Sequence, residues 1–186
     1  MIPPFLHRLG MSYAQRLRHG IVEQAHKDWL NPSDPDDYAE EIGWRTGQGD
    51  DWCGIWAGAV AVRAGLHPDI ARIVMPSTYR LATNQDGEPG WSMVDQQPPE
   101  PVPVADVQPG DICSITTSRG LAWGDHIVII SDVLVDTVIT YEGNTRAGII
   151  ADTLEAPIRR SVCRCERKMQ GIVSVYRFTG HHGMGL

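Results

Sequence analysis

The chain has 186 residues, 42% of them hydrophobic and 21% charged, which is the size and composition of one globular domain that can bury a core. Its formal net charge of −7 at pH 7 argues against nucleic acid or an anionic membrane as the main partner, because both attract a basic surface. We therefore expect a single domain over residues 1–186, with neither nucleic-acid binding nor membrane insertion.

The N-terminus and the cysteines indicate where the chain is made. The segment MIPPFLHRLGMSYAQRLRHG has prolines and scattered arginines where a secretory signal has its apolar core, and no run of the sequence is long enough to span a bilayer. Four cysteines are too few for a disulfide framework, and the pair Cys163 and Cys165 has poor zinc spacing. We expect synthesis in a reducing cytoplasm without a classical signal, and neither a metal nor another cofactor.

The first predicted element is a helix from Ser12 to Leu30, with Ser12 as its N-cap and Pro32 as a stop. Its apolar residues fall four apart and form one stripe, which consists of Tyr13, Leu17, Ile21, Ala25 and Trp29. The acidic segment NPSDPDDYAEEIG, which follows, is expected to be a loop.

A second helix is predicted from about Trp52 to Ala64, within the stretch GQGDDWCGIWAGAVAVRAGL. Asp50 or Asp51 can serve as its N-cap, and Gly65 can close it. Cys53 then lies in the first turn of this helix.

A short third helix is predicted at about 76–84, and a proline-rich loop follows at about 86–104. The prolines of this loop exclude a helix interior and a central strand alike.

Beyond that loop, short segments rich in Val, Ile, Thr and Tyr alternate with turn residues, which is typical of strands. They run from Asp111 to Thr117, His126 to Leu134, Thr137 to Glu142, Gly148 to Thr153 and Ile172 to Phe178. Helices followed by a mainly antiparallel sheet predict an α+β fold. Residues 179–186 are expected to form a flexible tail.

Cys53 is a candidate nucleophile because of its place in the predicted helix. The unpaired N–H groups and the dipole at a helix N-terminus favour a thiolate. A cysteine is nevertheless more often a buried core residue, so this interpretation requires a histidine to exchange the proton and a third group to orient that histidine.

His126 is the candidate histidine. It opens a strand in WGDHIVIISDV, which would hold its ring on a rigid element. A tight turn between Leu134 and Thr137 makes the next strand its antiparallel neighbour, and a period-2 pleat puts Glu142 and Asn144 of that strand on one face. The other histidines are interpreted as solvated surface groups, namely His7, His19, His26, His67, His181 and His182.

The segments GQGDDWCGIWAGAVAVRAGL, DVQPGDICSI, GDHIVIISDV and YEGNT resemble, in order and in spacing, the cysteine, histidine and Glu-x-Asn blocks of CHAP domains. These are papain-like amidase and peptidase modules related to NlpC/P60 hydrolases. The resemblance runs from about the first helix to Asn144. It implies a papain-like fold with N-terminal helices packed on the sheet, Cys53 as nucleophile, His126 as general base, Glu142 as the group that orients it, and Asn144 as a further polar residue.

The sequence also offers candidates for an oxyanion hole and for the lining of a substrate cleft. An oxyanion hole needs donors directed at the developing charge. The backbone N–H of Cys53 is one donor, and Gln48 is a candidate for the other, with an ordinary loop glutamine as the alternative. Trp52, Trp123 and Asp125 are candidates for lining the substrate cleft.

Two charged clusters are interpreted as solvated. Some CHAP domains bind calcium in an acidic loop before the cysteine, but Asp34, Asp36 and Asp37 lack the spacing of an EF-hand loop, so we expect a solvated loop. Cys113 is expected in the core. A basic segment later in the chain could contact an acidic partner or form a solvated loop, and we expect the loop. The segment contains Arg159, Arg160, Cys163, Arg164, Cys165, Arg167 and Lys168.

The resemblance implies a peptidoglycan hydrolase, either an N-acetylmuramoyl-L-alanine amidase or a peptide endopeptidase, acting on peptidoglycan or its stem peptides. Such an enzyme would reach the cell wall or periplasm as a phage lysin or as an antibacterial effector delivered by specialised secretion, and an effector implies a cognate immunity protein. The alternatives are a papain-like protease or deamidase acting on a protein, and a catalytically inactive binding module.

Overall fold

The computed structural model describes residues 11–43, 52–68, 71, 100–102, 104–116, 126–145 and 161–178. Within them lie the helices α1 (Tyr13–Leu30), α2 (Pro35–Glu41) and α3 (Cys53–Arg63), and the strands β1 (Glu100–Val102), β2 (Ile112–Ile115), β3 (His126–Val133), β4 (Thr137–Thr145), β5 (Ser161–Lys168) and β6 (Ile172–Arg177). The strands form one antiparallel sheet in the order β1-β6-β2-β3-β4-β5. The predicted α+β class is therefore confirmed.

Helix α1 begins and ends close to its predicted limits. Ser12 is the N-cap, and its hydroxyl accepts a hydrogen bond from the N–H of Gln15 while the Gln15 side chain accepts one from the N–H of Ser12. This capping box satisfies two of the N–H groups that a helix start leaves without partners. The predicted apolar stripe is buried at Leu17, Ile21 and Ala25.

The segment predicted as an acidic loop forms helix α2, so that prediction was wrong. Asp34 is its N-cap, Pro35 occupies the first turn, and Asp37 completes a capping box. The carboxylates are therefore placed where the N–H groups and the dipole of a helix start favour negative charge. Tyr38 is fully buried, which ties this short helix to the core.

Helix α3 carries Cys53 as its first residue. Its N-cap position is Trp52, which makes no side-chain capping bond, so the prediction of Asp50 or Asp51 as the cap was wrong. The helix begins one residue later than expected, and the indole side chain of Trp52 has no acceptor for the N–H groups of the first turn. At the other end Gly65 has a φ of 112°, as the predicted helix stop requires.

The β3–β4 hairpin has the predicted form. The N–H of Leu134 donates to the carbonyl of Thr137 at 2.8 Å, and the two strands pair antiparallel with Ile129 opposite Tyr141. The strand β4 then continues to Thr145, three residues beyond its predicted end.

Two strands lie where loops were expected. The basic segment forms β5, which pairs with β4 along most of its length, so the prediction of a solvated loop was wrong for Ser161–Lys168. The strand β1 lies inside the proline-rich segment. It is one of the two edge strands of the sheet, and an edge is the position in a sheet where proline is tolerated.

An apolar cluster lies on each side of the sheet. Between the helices and the sheet, Leu17, Ile21, Trp56 and Val60 pack with strand residues that include Ile112, Ile127, Ile129, Tyr141 and Tyr176. The second cluster alternates with the first along the same strands and includes Cys113, Val128, Ile130, Val138 and Val175. Cys113 is thus a core residue, as predicted.

Several expectations fall outside the described residues: the helix at 76–84, most of the proline-rich loop, the strand from Gly148 to Thr153, and the tail at 179–186. Among the helices that the structure describes, none has the length and apolarity that crossing a bilayer requires.

Candidate active site

Cys53 and His126 come together where the start of α3 meets one end of the sheet. Cys53 is 5% exposed at the first position of α3, and His126 is 8% exposed at the first position of β3. The thiol of Cys53 lies close enough to the His126 ring to raise the pKa of that histidine. The pairing of a cysteine at a helix start with a histidine on a rigid strand was predicted from the sequence.

Glu142 holds the other side of the histidine ring. Its Oε2 lies 3.2 Å from His126 Nε2, and the carboxyl group is fully buried. Because Nε2 faces Glu142, Nδ1 is the ring nitrogen left for the thiol of Cys53. The three side chains therefore lie in the order thiol, imidazole, carboxylate.

The electrostatics of this chain favour a charged imidazole. Burial alone would lower the pKa of His126, but its hydrogen bonds to Cys53 and Glu142, with the negative charge that each can carry, raise that pKa to about 9. Burial would likewise raise the pKa of Glu142, but hydrogen bonds from Arg167 and His126 lower it to about 2. At neutral pH the site therefore holds an imidazolium beside an ionised carboxylate.

Arg167 of β5 makes two hydrogen bonds to Glu142. Its Nε donates to Oε1 at 2.7 Å and its Nη2 donates to Oε2 at 2.6 Å, a two-bond pairing that fixes the plane of the carboxylate. The hydroxyl of Thr140 adds a third bond to Oε1 at 2.6 Å. Both oxygens of the buried carboxylate therefore have strong donors.

The remaining cysteines differ from Cys53 in their surroundings. All four cysteines are thiols and none forms a disulfide. Burial raises the pKa of Cys113 well above its ordinary value, and burial together with the charge of Glu142 raises that of Cys163 and takes that of Cys165 to about 11. These three thiols are therefore held in the protonated form that does not act as a nucleophile.

Asn144 lies on β4 two residues beyond Glu142, but the backbone is not regular there. Asn144 has a φ of 60°, and the register of β4 with β5 shifts between Glu142 and Thr145. The period-2 pleat from which a shared face was predicted therefore does not extend to Asn144. Its part in the site stays a prediction.

Trp52 lies directly before the nucleophile candidate and is half-buried. Its ring stacks on that of Tyr38, with centroids 6.1 Å apart and planes 16° apart. This contact fixes Trp52 against α2, and its role in the cleft stays a prediction. The other candidates, Gln48, Trp123 and Asp125, lie outside the described residues.

The acidic residues before the cysteine serve a structural role in α2. The side chain of Asp34 accepts from the N–H of Asp36, and that of Asp37 accepts from the N–H of Asp34. In the part of the chain that the structure describes, His, Cys, Asp and Glu side chains form no group of three or more that could hold a metal ion.

Sequence reasoning missed Arg167 and Thr140 as partners of Glu142. Thr140 could have been found, because it lies two residues from Glu142 on a strand that was predicted. Arg167 lies 25 residues from Glu142, in a segment taken for a loop, and no local pattern connects the two. One histidine was also misjudged in part: exposed His26 bonds the Tyr141 hydroxyl through Nδ1 at 2.8 Å.

Comparison of the chain with protein-family models, with curated proteins and with solved structures found no match. The interpretation of the site therefore depends on its own residues and their geometry.

Proposed function

We propose that this protein is a cysteine-dependent amide hydrolase with a papain-like fold, acting on peptidoglycan or its stem peptides. The observation that carries the catalytic part is the position of the His126 ring, which lies beside Cys53 and 3.2 Å from Glu142 Oε2. A thiol, a base and a group that orients the base are the parts that covalent acyl transfer requires.

The reaction would proceed through an acyl-enzyme. The Cys53 thiolate adds to the amide carbonyl and forms a C–S bond, and the negative charge moves to the carbonyl oxygen. When the C–N bond breaks, imidazolium His126 gives its Nδ1 proton to the departing amine. Neutral His126 then takes a proton from water, which adds to the thioester and forms a C–O bond. Cleavage of the C–S bond releases the acid and restores the thiolate–imidazolium pair.

Glu142 has a defined task in this cycle. It accepts the Nε2 proton of His126, which leaves Nδ1 as the nitrogen that exchanges the catalytic proton with Cys53 and the leaving group. Because Glu142 stays ionised far below neutral pH, it also stabilises the imidazolium form. The start of α3 supplies backbone N–H groups near the reacting carbonyl, among them that of Cys53.

The choice of peptidoglycan comes from the resemblance to CHAP domains. The order of the three residues along the chain supports that resemblance: a cysteine on an early helix, a histidine that opens a strand, and a glutamate on the next strand. The net charge of −7 is unfavourable for walls rich in anionic polymers, so a thin wall without them is the better substrate to test first.

The test is digestion of purified peptidoglycan and of isolated muropeptides, analysed by mass spectrometry. The wild type should release products whose new termini identify the bond, either between the sugar lactyl group and the first residue or within the stem peptide. Cys53→Ala should lower the rate by about a thousandfold or more.

Cys113→Ala is the matched control, because it removes another buried thiol at a site with no part in the reaction, and it should digest at the wild-type rate. Equal product from the wild type and Cys53→Ala would overturn the mechanism. A wild type that digests no wall preparation but cleaves or deamidates a protein substrate in a Cys53-dependent way would overturn the choice of peptidoglycan.

A further inference from the structure

The carboxylate of Glu142 has more donors than its task at His126 needs. Oε1 accepts from Thr140 and from Arg167 Nε, while Oε2 accepts from Arg167 Nη2 and from His126 Nε2. The Arg167 bonds, at 2.6 and 2.7 Å, are clearly shorter than the 3.2 Å contact with His126. The carboxylate is therefore held more closely by Arg167, together with Thr140, than by His126.

Two paired bonds from a planar guanidinium also leave little rotation to the carboxylate. With Oε1 held by Arg167 Nε and Thr140, only Oε2 can be directed at the histidine. A donor that makes one hydrogen bond in place of the two from Arg167 would let the carboxylate rotate, and the contact of Oε2 with His126 would weaken.

We propose that Arg167 is a positioning residue of the site: it holds the buried Glu142 carboxylate ionised and in the orientation in which Oε2 accepts from His126. The inference rests on the proposed function for its catalytic consequence, although the positioning itself can be measured without turnover. Arg167 does not contact the reacting atoms, and it acts through Glu142 alone.

The charges around Glu142 come from three elements. His126 of β3 interacts with the carboxylate directly, and Cys53 of α3 interacts with His126. The third element, β5, contributes Cys163, Cys165 and Arg167. Of these groups Arg167 and His126 are the cations. Without Arg167 the buried carboxylate would keep the Thr140 hydroxyl as a donor but only His126 of these cations, and its affinity for a proton would rise.

The experiment compares the wild type, Arg167→Met, Arg167→Lys and Arg164→Met. Arg164 is the matched control, since it lies on the same strand but is exposed, and the same substitution there should change nothing. The carboxyl carbon of Glu142 and the ring of His126 are followed by NMR through a pH titration of labelled protein, with far-UV circular dichroism as the check on folding.

Hydrogen bonds from Arg167 and His126 lower the pKa of Glu142 to about 2, so in Arg167→Met this carboxyl should titrate at clearly higher pH than in the wild type, and a matching inflection should appear in the His126 ring signals. Its kcat should fall roughly tenfold or more with little change in KM, and the acid limb of its pH–rate profile should move to higher pH. Arg167→Lys keeps the charge but loses the paired bonds, so Glu142 should titrate near the wild-type pH while kcat still falls.

An unchanged Glu142 titration in Arg167→Met, or an Arg167→Lys variant with wild-type kcat, would overturn the proposal. If Arg167→Met does not fold, the kcat of Arg167→Lys tests the proposal: a lower kcat supports it and a wild-type kcat overturns it. A wild type without turnover would refute the proposed function and leave the titration to decide the positioning.

Discussion

The backbone of Gly143 lies directly against the side chain of Trp56. A Cβ placed at position 143 would be 2.8 Å from both Cβ and Cγ of Trp56, closer than real side chains approach one another. Gly143 directly follows Glu142 on β4, and Trp56 lies one helical turn after Cys53 on α3. The missing side chain thus lets the helix of the nucleophile and the strand of the carboxylate approach each other.

Gly143→Ala should therefore damage both stability and activity. The new methyl group has no space unless α3 or β4 moves, and overpacking of this kind costs roughly 1–3 kcal/mol of unfolding free energy. Movement of α3 should also separate Cys53 from His126 and lower kcat. Chemical denaturation and turnover with muropeptides measure the two effects.

Gly171→Ala is the control, because a Cβ there would meet its nearest atom, the Thr116 carbonyl oxygen, only at 4.0 Å. A Gly143→Ala variant as stable and as active as Gly171→Ala would contradict the inferred role of the close approach.

The elements that the sequence predicted are those with a local signal. Helix α1 has an apolar stripe and a capping serine, and the β3–β4 hairpin has two β-rich segments on either side of a short turn. Helix α2 had a signal too, an aspartate before proline with a second aspartate three residues on, but its acidic composition was interpreted as solvation.

The strand β5 could not be found in this way. Its residues alternate between apolar and polar types only from Cys163 to Glu166, and the strand is stabilised by pairing with β4 and by the bonds of Arg167 to Glu142. Both are contacts between residues distant in the chain. Cys53, His126 and Glu142 could be predicted because a helix start, two neighbouring strands and the resemblance to CHAP domains pointed to them. No such signal pointed to the arginine that holds the carboxylate.

Alkylation should distinguish Cys53 from the other thiols. At neutral pH iodoacetamide should modify Cys53 first, because it lies at a helix start beside the His126 imidazolium, while burial keeps the thiols of Cys113, Cys163 and Cys165 protonated. Peptide mapping by mass spectrometry at successive times gives the order. His126→Ala should slow the labelling of Cys53, and faster labelling of Cys165 than of Cys53 would count against the assignment.

The stability of the protein should depend on pH through His126. The pKa of this group is raised from 6.5 to about 9 in the folded protein, so its contribution is fully present below about pH 6.5 and is lost as the pH rises through 9. The difference in unfolding free energy between the wild type and His126→Gln should accordingly shrink from pH 6.5 to 9. Urea denaturation across this range measures it, and a constant difference would mean that the folded protein does not favour the imidazolium.

Asp28 should matter more for stability than its neighbour in the same ion-pair network, Glu41. Asp28 is 4% exposed, and it accepts from Trp56 Nε1 at 3.0 Å and from Arg63 Nη1 at 2.5 Å, whereas the bond of Arg63 to Glu41 lies at the surface. Burial raises the pKa of Asp28 although Arg63 and Trp56 oppose it, so the pair does not fully offset its own desolvation.

Removing one partner of such a pair still destabilises, because the other charge stays without compensation. Asp28→Asn should therefore cost roughly 2–3 kcal/mol of unfolding free energy, and Glu41→Gln about 1 kcal/mol or less. Since Asp28 also fixes the indole that packs on Gly143, Asn at position 28 should slow the alkylation of Cys53 as well. Urea denaturation of both variants with the labelling assay gives the comparison, and equal losses of stability would show that burial does not set the strength of this network.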